Sequence, residues 1–205
     1  MQGAESRICL SCLGGSKMIV SALTTKNDEW YTPSYAIEPI AQVLKRYRSY
    51  IHQQKVLCPF DKGNSNFVAV LRNAGFLVEH SHIEDDKDFF SYTKEEVKDF
   101  DYIITNPPYS LKVPVFRKLF ELEKPFAMLV GVVGLFDSKE KAELFAANPV
   151  ELLYLNPRVQ YFCPTFEGKF SSPPYQSAYV CKNLFKNQIN FAKVDRVRLD
   201  IKDFD

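Results

Sequence analysis

One stretch constrains this chain more than any other: Asp101-Tyr102-Ile103-Ile104-Thr105-Asn106-Pro107-Pro108-Tyr109-Ser110, an apolar run that ends in two prolines. Tyr102 to Thr105 is β-branched and aromatic, which predicts a short buried strand of the kind found inside α/β sheets. Neither proline can donate to a ladder or continue a helix, so the strand must stop in a stiff corner. Such a corner can hold two acceptors, the Asn106 side-chain oxygen and the Pro107 carbonyl, toward one point. Converging acceptors suit an amino group on a planar ring or carbonyl. Hydrogen bonds from that NH2 push its nitrogen toward tetrahedral geometry and free its lone pair for attack. Tyr109 is then placed to lie flat against the ring.

Composition bounds the rest. A chain of 205 residues, 46% hydrophobic and 25% charged, fits one globular domain with a sizeable core and leaves no room for a second large one. The net charge of +1 offers no global attraction for nucleic acid, so any such surface is expected to be local. No apolar run is long enough to span a bilayer and no secretory layout opens the chain, which reads as cytoplasmic. Five cysteines, an odd number, fit reduced thiols better than a disulfide framework. Cys9 and Cys12 form a lone CxxC without a second ligand pair, and no metal site is expected.

Residues 1–26 read as a flexible leader and 27–205 as the single domain. The leader has no periodicity, and it runs through Gly14-Gly15-Ser16-Lys17-Met18, whose codons could form a purine-rich ribosome-binding site, making Met18 a candidate start. Thr32 can cap a helix with Pro33 at its first position, and apolar residues follow at Ile37, Ile40, Val43, Leu44, Tyr47 and Ile51. Lys55 to Phe60 predicts a strand, Asp61 to Asn64 a tight loop, and Ser65 the cap of a helix ended by Gly75. A first strand, loop and helix in that order is where a Rossmann-like sheet places its cofactor. Phe76 to Ile83 predicts a second strand. A helix over Val113 to Leu122, an apolar strand after Pro125, a helix over Lys139 to Ala147 and a strand over Val150 to Leu155 come next. Ser177 to Leu184 and Gln188 to Val194 read as a closing strand pair. This alternation implies a mostly parallel sheet covered on both faces.

The Asn-Pro-Pro-Tyr corner resembles the signature of the S-adenosylmethionine-dependent amino-methyltransferases, and most of all the N6-adenine DNA methyltransferases. Small phage- or prophage-encoded members have a similar Glu-Trp-Tyr-Thr-Pro opening, present here as Glu29 to Pro33. The resemblance spans about residues 27–191. It implies the class I methyltransferase architecture, Rossmann-like with an antiparallel C-terminal strand. It also implies S-adenosylmethionine as cofactor, DNA as partner, and Asn106, Pro107, Pro108 and Tyr109 as the catalytic corner.

The same resemblance distributes the cofactor. Tyr31, Thr32 and Pro33 would close over its methionine end, where a hydroxyl and free N–H groups at a helix start suit a carboxylate. Cys58, Pro59, Phe60 and Asp61 stand where the family has an acid, Pro-Phe and a glycine-rich turn. This chain departs from that pattern, with Cys58 in place of the acid and Gly63 the one remaining glycine. Glu84 is expected at the ribose, with His82 the competing position, and Asp88 with Phe89 at the adenine. His80 and His82 alternate along a strand and should face opposite sides.

Substrate contacts are expected from Lys112, Arg158, Lys169 and Tyr175, with Arg117 and Lys118 as further phosphate partners and Phe170 as an alternative to Tyr175. The segment from Arg158 to Gln176 is long and aromatic, and long loops in compact domains tend to be functional. Asn-Pro-Pro-Tyr also serves enzymes acting on RNA adenine and on protein glutamine. The remaining alternative is a non-catalytic module on a degenerate fold. No separate recognition domain is evident, so sequence-specific DNA binding is expected to be weak or to need a partner.

Overall fold

The computed structural model of this chain describes residues 31–47, 52–162, 170–171 and 175–196. The expected leader, the CxxC pair and Lys169 lie outside the described residues, as do the far end of the first predicted helix and most of the late aromatic loop.

Among the described residues nine strands form: β1 (Lys55–Pro59), β2 (Leu77–Ser81), β3 (Tyr102–Thr105), β4 (Phe126–Gly131), β5 (Glu151–Asn156), β6 (Tyr161–Phe162), β7 (Phe170–Ser171), β8 (Ser177–Lys182) and β9 (Ile189–Lys193). The same residues form four α-helices, α1 (Ser34–Arg46), α2 (Asn66–Asn73), α3 (Lys112–Leu122) and α4 (Lys139–Ala147). Seven strands make one sheet in the order β2-β1-β3-β4-β8-β5-β9, and β6 pairs with β7 in a short antiparallel ribbon. Only β8 runs against its neighbours in the large sheet. The fold is thus a doubly wound, mostly parallel α/β sheet with one antiparallel strand, as the alternation of elements predicts.

The closing strands do not pair with each other. β5 lies between them, antiparallel to β8 and parallel to β9. Both arrangements satisfy the same apolar pattern, so local sequence does not choose between them.

Successive residues of the central strands point to opposite faces, and each face has its own core. Val56, Cys58, Ile104, Leu129 and Tyr179 pack under α1 and α2. Leu57, Ile103, Met128, Val130 and Val180 pack under α3, α4 and the chain between β2 and β3. Ile103, Ile104, Met128 and Leu129 are fully buried, each contributing about 1.5–3 kcal/mol relative to exposure. The segment from β2 to β3 contains two short 3-10 turns, Ile83–Asp85 and Phe89–Ser91, and its Phe89, Tyr92, Val97 and Phe100 seal the second core.

Thr32 does not cap α1. Pro33 occupies the N-cap position without a side-chain cap bond. Ser65 does cap α2, accepting from the Val68 N–H.

Candidate active site

Chain order selects the place. From β1 the chain crosses to β2 on one side, then returns to lay β3 on the other side of β1. Such a reversal opens a crevice at the carboxyl ends of the two strands, the usual ligand position in doubly wound sheets. Here those ends are Pro59-Phe60-Asp61 and Thr105-Asn106-Pro107.

The two ends are clamped together. The fully buried Thr105 hydroxyl donates to the Pro59 carbonyl at 2.8 Å. Two prolines after Asn106 then turn the chain away from the sheet, with Pro107 buried and Pro108 and Tyr109 partly exposed. A 3-10 turn over Tyr109–Leu111 leads directly into α3.

Asn106 is held from a distant part of the chain. Its Nδ2 donates to Thr32 Oγ1 at 2.8 Å, and Thr32 is nearly fully buried. The Thr32 carbonyl in turn accepts from Asn66 Nδ2 at 2.9 Å, at the first residue of α2. With its nitrogen directed at Thr32, the Asn106 carboxamide presents its oxygen as the other pole.

Aromatic groups gather beside this corner. The Tyr109 and Tyr175 rings meet edge to face with centroids 5.8 Å apart, and the Lys112 ammonium lies 4.6 Å from the Tyr109 ring centroid. Lys112 Nζ also reaches the Gly131 carbonyl at 3.4 Å. Gly131, the last residue of β4, lies under Tyr175: a Cβ there would sit 2.4 Å from Tyr175 Cε2. Tyr161 is buried nearby, donating to Ser177 Oγ at 2.9 Å, and burial raises its phenol.

On the β1 side the backbone is strained. Phe60 takes a left-handed φ of 68°, which costs a non-glycine residue about 1–2 kcal/mol. Its ring packs edge-on against Phe89 and Phe90, with centroids 5.3 and 6.4 Å away. Asp61 follows it, half-buried by surface area but enclosed closely enough that desolvation raises its carboxyl to about 7, opposed by a hydrogen bond with Ser65. At the tip of β2, Ser81 Oγ and His80 Nδ1 are buried and have no hydrogen-bond partner among the described residues. Ser81 lies beside Pro59 in the sheet, and a Cβ on Gly63 would come within 3.1 Å of His80 Nε2.

The structure brings Thr32, Phe60, Asp61, Asn106, Pro107, Pro108, Tyr109, Lys112 and Tyr175 to this crevice or its rim. Pro33 is buried at the start of α1, and Tyr31 before it is exposed. Several of the residues expected at the cofactor are engaged within the protein itself. Cys58 faces the α1–α2 core with no exposed surface, because alternation along β1 turns it inward. Phe89 is likewise buried, and Phe90 is the partly exposed ring. Asp88 Oδ1 accepts from the Phe90 N–H at 3.0 Å, capping its own turn. Glu84 is exposed and ion-paired with Lys62 at 2.6 Å, and that ammonium lowers its carboxyl. Arg158 is exposed beyond β5, its carbonyl accepting from Arg196 Nε at 3.0 Å. Sequence reading missed Asn66 and Thr105 as site supports; it had no signal for either, since both act through partners remote in sequence. Gly131 carried a signal, a glycine ending an otherwise bulky strand.

Among the described residues, no cluster of His, Cys, Asp or Glu is placed to hold a metal ion, and no helix is long and apolar enough to cross a membrane. A groove of about 460 Å³ runs between α1 and β9, and its lining does not include Asn106, Pro107, Pro108 or Tyr109.

No family model and no curated protein matches this chain. Solved structures resemble it in outline. One assigned to the class I S-adenosylmethionine-dependent methyltransferases, from Listeria monocytogenes, is 11% identical over 85% of this chain and 68% of its own, with a TM-score of 0.47. The release-factor-specific protein-(glutamine-N5) methyltransferase of Alicyclobacillus acidocaldarius is 15% identical over 83% of this chain and 98% of its own, with a TM-score of 0.42. MppP soaked with the product 2-ketoarginine has the same identity and TM-score over 75% of this chain and 42% of its own. Two of the three carry a methyltransferase name and one does not.

Proposed function

We propose that this chain is an S-adenosylmethionine-dependent methyltransferase acting on the exocyclic N6 amino group of adenine in DNA. The observation that carries this reading is the orientation of Asn106: its amide nitrogen is bound to Thr32, so its oxygen is the pole left to accept from a substrate NH2. With the Pro107 carbonyl as a second acceptor, the corner holds both amine protons and leaves the nitrogen lone pair for attack. A neighbouring wall of Tyr109 and Tyr175 favours a flat ring, whose stacking contributes about 1–3 kcal/mol per base.

The crevice residues fit the cofactor. Asp61 can accept from an ammonium or hydroxyl, His80 and Ser81 hold buried polar atoms without a partner among the described residues, and Phe90 offers a partly exposed ring. When bound, S-adenosylmethionine supplies a methyl group on a positively charged sulfur, which a neutral amine can attack directly. Extrusion of the adenine from a duplex costs a few kcal/mol, and stacking on the tyrosines opposes that cost.

The test is incubation with radiolabelled S-adenosylmethionine and, separately, unmodified genomic DNA, total RNA and cell protein, with Asn106→Ala as control. The expected label is in DNA, digests to N6-methyladenine and falls by about a hundredfold or more in the variant, with cofactor affinity retained. Label confined to RNA or to protein glutamine would keep the chemistry and change the acceptor. A chain that neither transfers label nor gains thermal stability with the cofactor would be a binding module.

A further inference from the structure

We propose that Thr32 is a positioning residue for Asn106, anchoring its carboxamide at the tip of β3. A carboxamide has two ends of nearly equal size and opposite polarity. Turned over, it would aim its own NH2 at a substrate NH2, donor against donor. In the structure the Thr32 hydroxyl accepts from Nδ2 at 2.8 Å and anchors the carboxamide with its oxygen as the outer end.

Thr32 is itself held. It is nearly fully buried, the rigid Pro33 follows it, and its carbonyl takes a hydrogen bond from Asn66 at 2.9 Å. Asn66, Thr32 and Asn106 therefore form a chain from the start of α2, just beyond the β1 loop, through the segment before α1, to the tip of β3. This differs from the role that resemblance implies for Thr32, a contact to the cofactor's methionine end. A cofactor contact acts on cofactor affinity; a positioning residue acts on turnover. The inference rests on the proposed amino-methyltransferase reading for its catalytic consequence, and on the hydrogen bonds alone for its geometry.

The full chain carrying Thr32→Val, which keeps shape and removes the acceptor, is compared with Thr32→Ser, which restores it, and with Asn66→Ala, which loosens Thr32. Cofactor affinity is read by calorimetry, turnover on DNA at saturating cofactor, and Asn106 itself by its side-chain amide signal in nitrogen-15 NMR, assigned by its loss in Asn106→Asp. Thr32→Val is expected to lower kcat by roughly tenfold or more while cofactor affinity stays within about threefold. Its Asn106 amide signal shifts, Thr32→Ser returns both readings toward wild type, and Asn66→Ala changes them in the same direction as Thr32→Val. Reduced cofactor affinity with unchanged kcat would overturn the proposal, as would an Asn106 signal that ignores Thr32→Val. If that variant does not fold, an Asn66→Ala chain with unaltered Asn106 signal and kcat overturns it. Should the wild type label no acceptor, the proposed function fails, and the amide signal still decides whether Thr32 orients Asn106.

Discussion

The Tyr175 ring occupies the space that a side chain on Gly131 would need, with only 2.4 Å between its Cε2 and the position of a Cβ. The absence of a side chain at the end of β4 lets Tyr175 approach Tyr109 and complete the aromatic wall.

Gly131→Ala should therefore displace the Tyr175 ring and weaken acceptor binding while sparing the cofactor crevice on the other side of β3. Tyr175→Ala should raise the acceptor KM by about tenfold through lost stacking, and Gly131→Ala should move it in the same direction. Steady-state kinetics on DNA, beside cofactor titrations, makes the comparison. Unchanged KM in both variants would remove Tyr175 from the acceptor site.

The Thr105 hydroxyl and the Pro59 carbonyl make one buried bond across the crevice floor. Thr105→Val keeps the shape but leaves that carbonyl unpaired, and is expected to cost about 1–3 kcal/mol in urea denaturation. A loss of only a few tenths would mean that the two strand ends are held by packing alone.

Phe60 combines backbone strain with a useful ring. Both Phe60→Ala and Phe60→Gly lose the packing on Phe89 and Phe90, but glycine also relieves the left-handed conformation. The glycine variant should thus be the more stable of the two by about 1 kcal/mol, the reverse of the usual order inside regular structure. Equal midpoints would show that the chain relaxes to ordinary φ once the ring is gone.

Asp61 makes stability and binding depend on pH in opposite directions. Its carboxyl stands at about 7 in the fold, against 3.8 for an ordinary aspartate. Between those values the folded protein retains a proton that the unfolded chain has released, so stability falls as pH rises through this window. Asp61→Asn removes that slope. Because the ionised form is the better acceptor for an ammonium or ribose hydroxyl, cofactor affinity should rise by up to about tenfold from pH 6 to 8, and not in Asp61→Asn. Thermal melts and calorimetry across that range decide both, and a wild type with the same pH dependence as Asp61→Asn would refute the role.

Much of the site was legible because its residues are local to one another. Tyr102 to Thr105 had to be a strand, and the two prolines had to end it. Ser65 announced the start of α2 through the ordinary rule for helix caps. Thr32 obeyed no such rule: a capping hydroxyl was available, but a partner 74 residues away took it. The burial of Phe89 was not legible for a similar reason. Whether Phe89 or Phe90 turns inward depends on the phase of a 3-10 turn over the second core, and neither residue's type records that phase.

By itself, then, the sequence determined the alternation of strands and helices, the two-sided burial of the central strands and the rigid Asn-Pro-Pro-Tyr corner. These follow from periodicity and from the missing N–H and fixed φ of proline, which act over a few residues. Only the tertiary structure decided that β5 separates β8 from β9, that Cys58 faces the core, and that Thr32, Asn66 and Asn106 meet. Those outcomes depend on which distant groups are brought within hydrogen-bonding or packing distance, and the geometry of the assembled sheet, rather than any local preference, sets that distance.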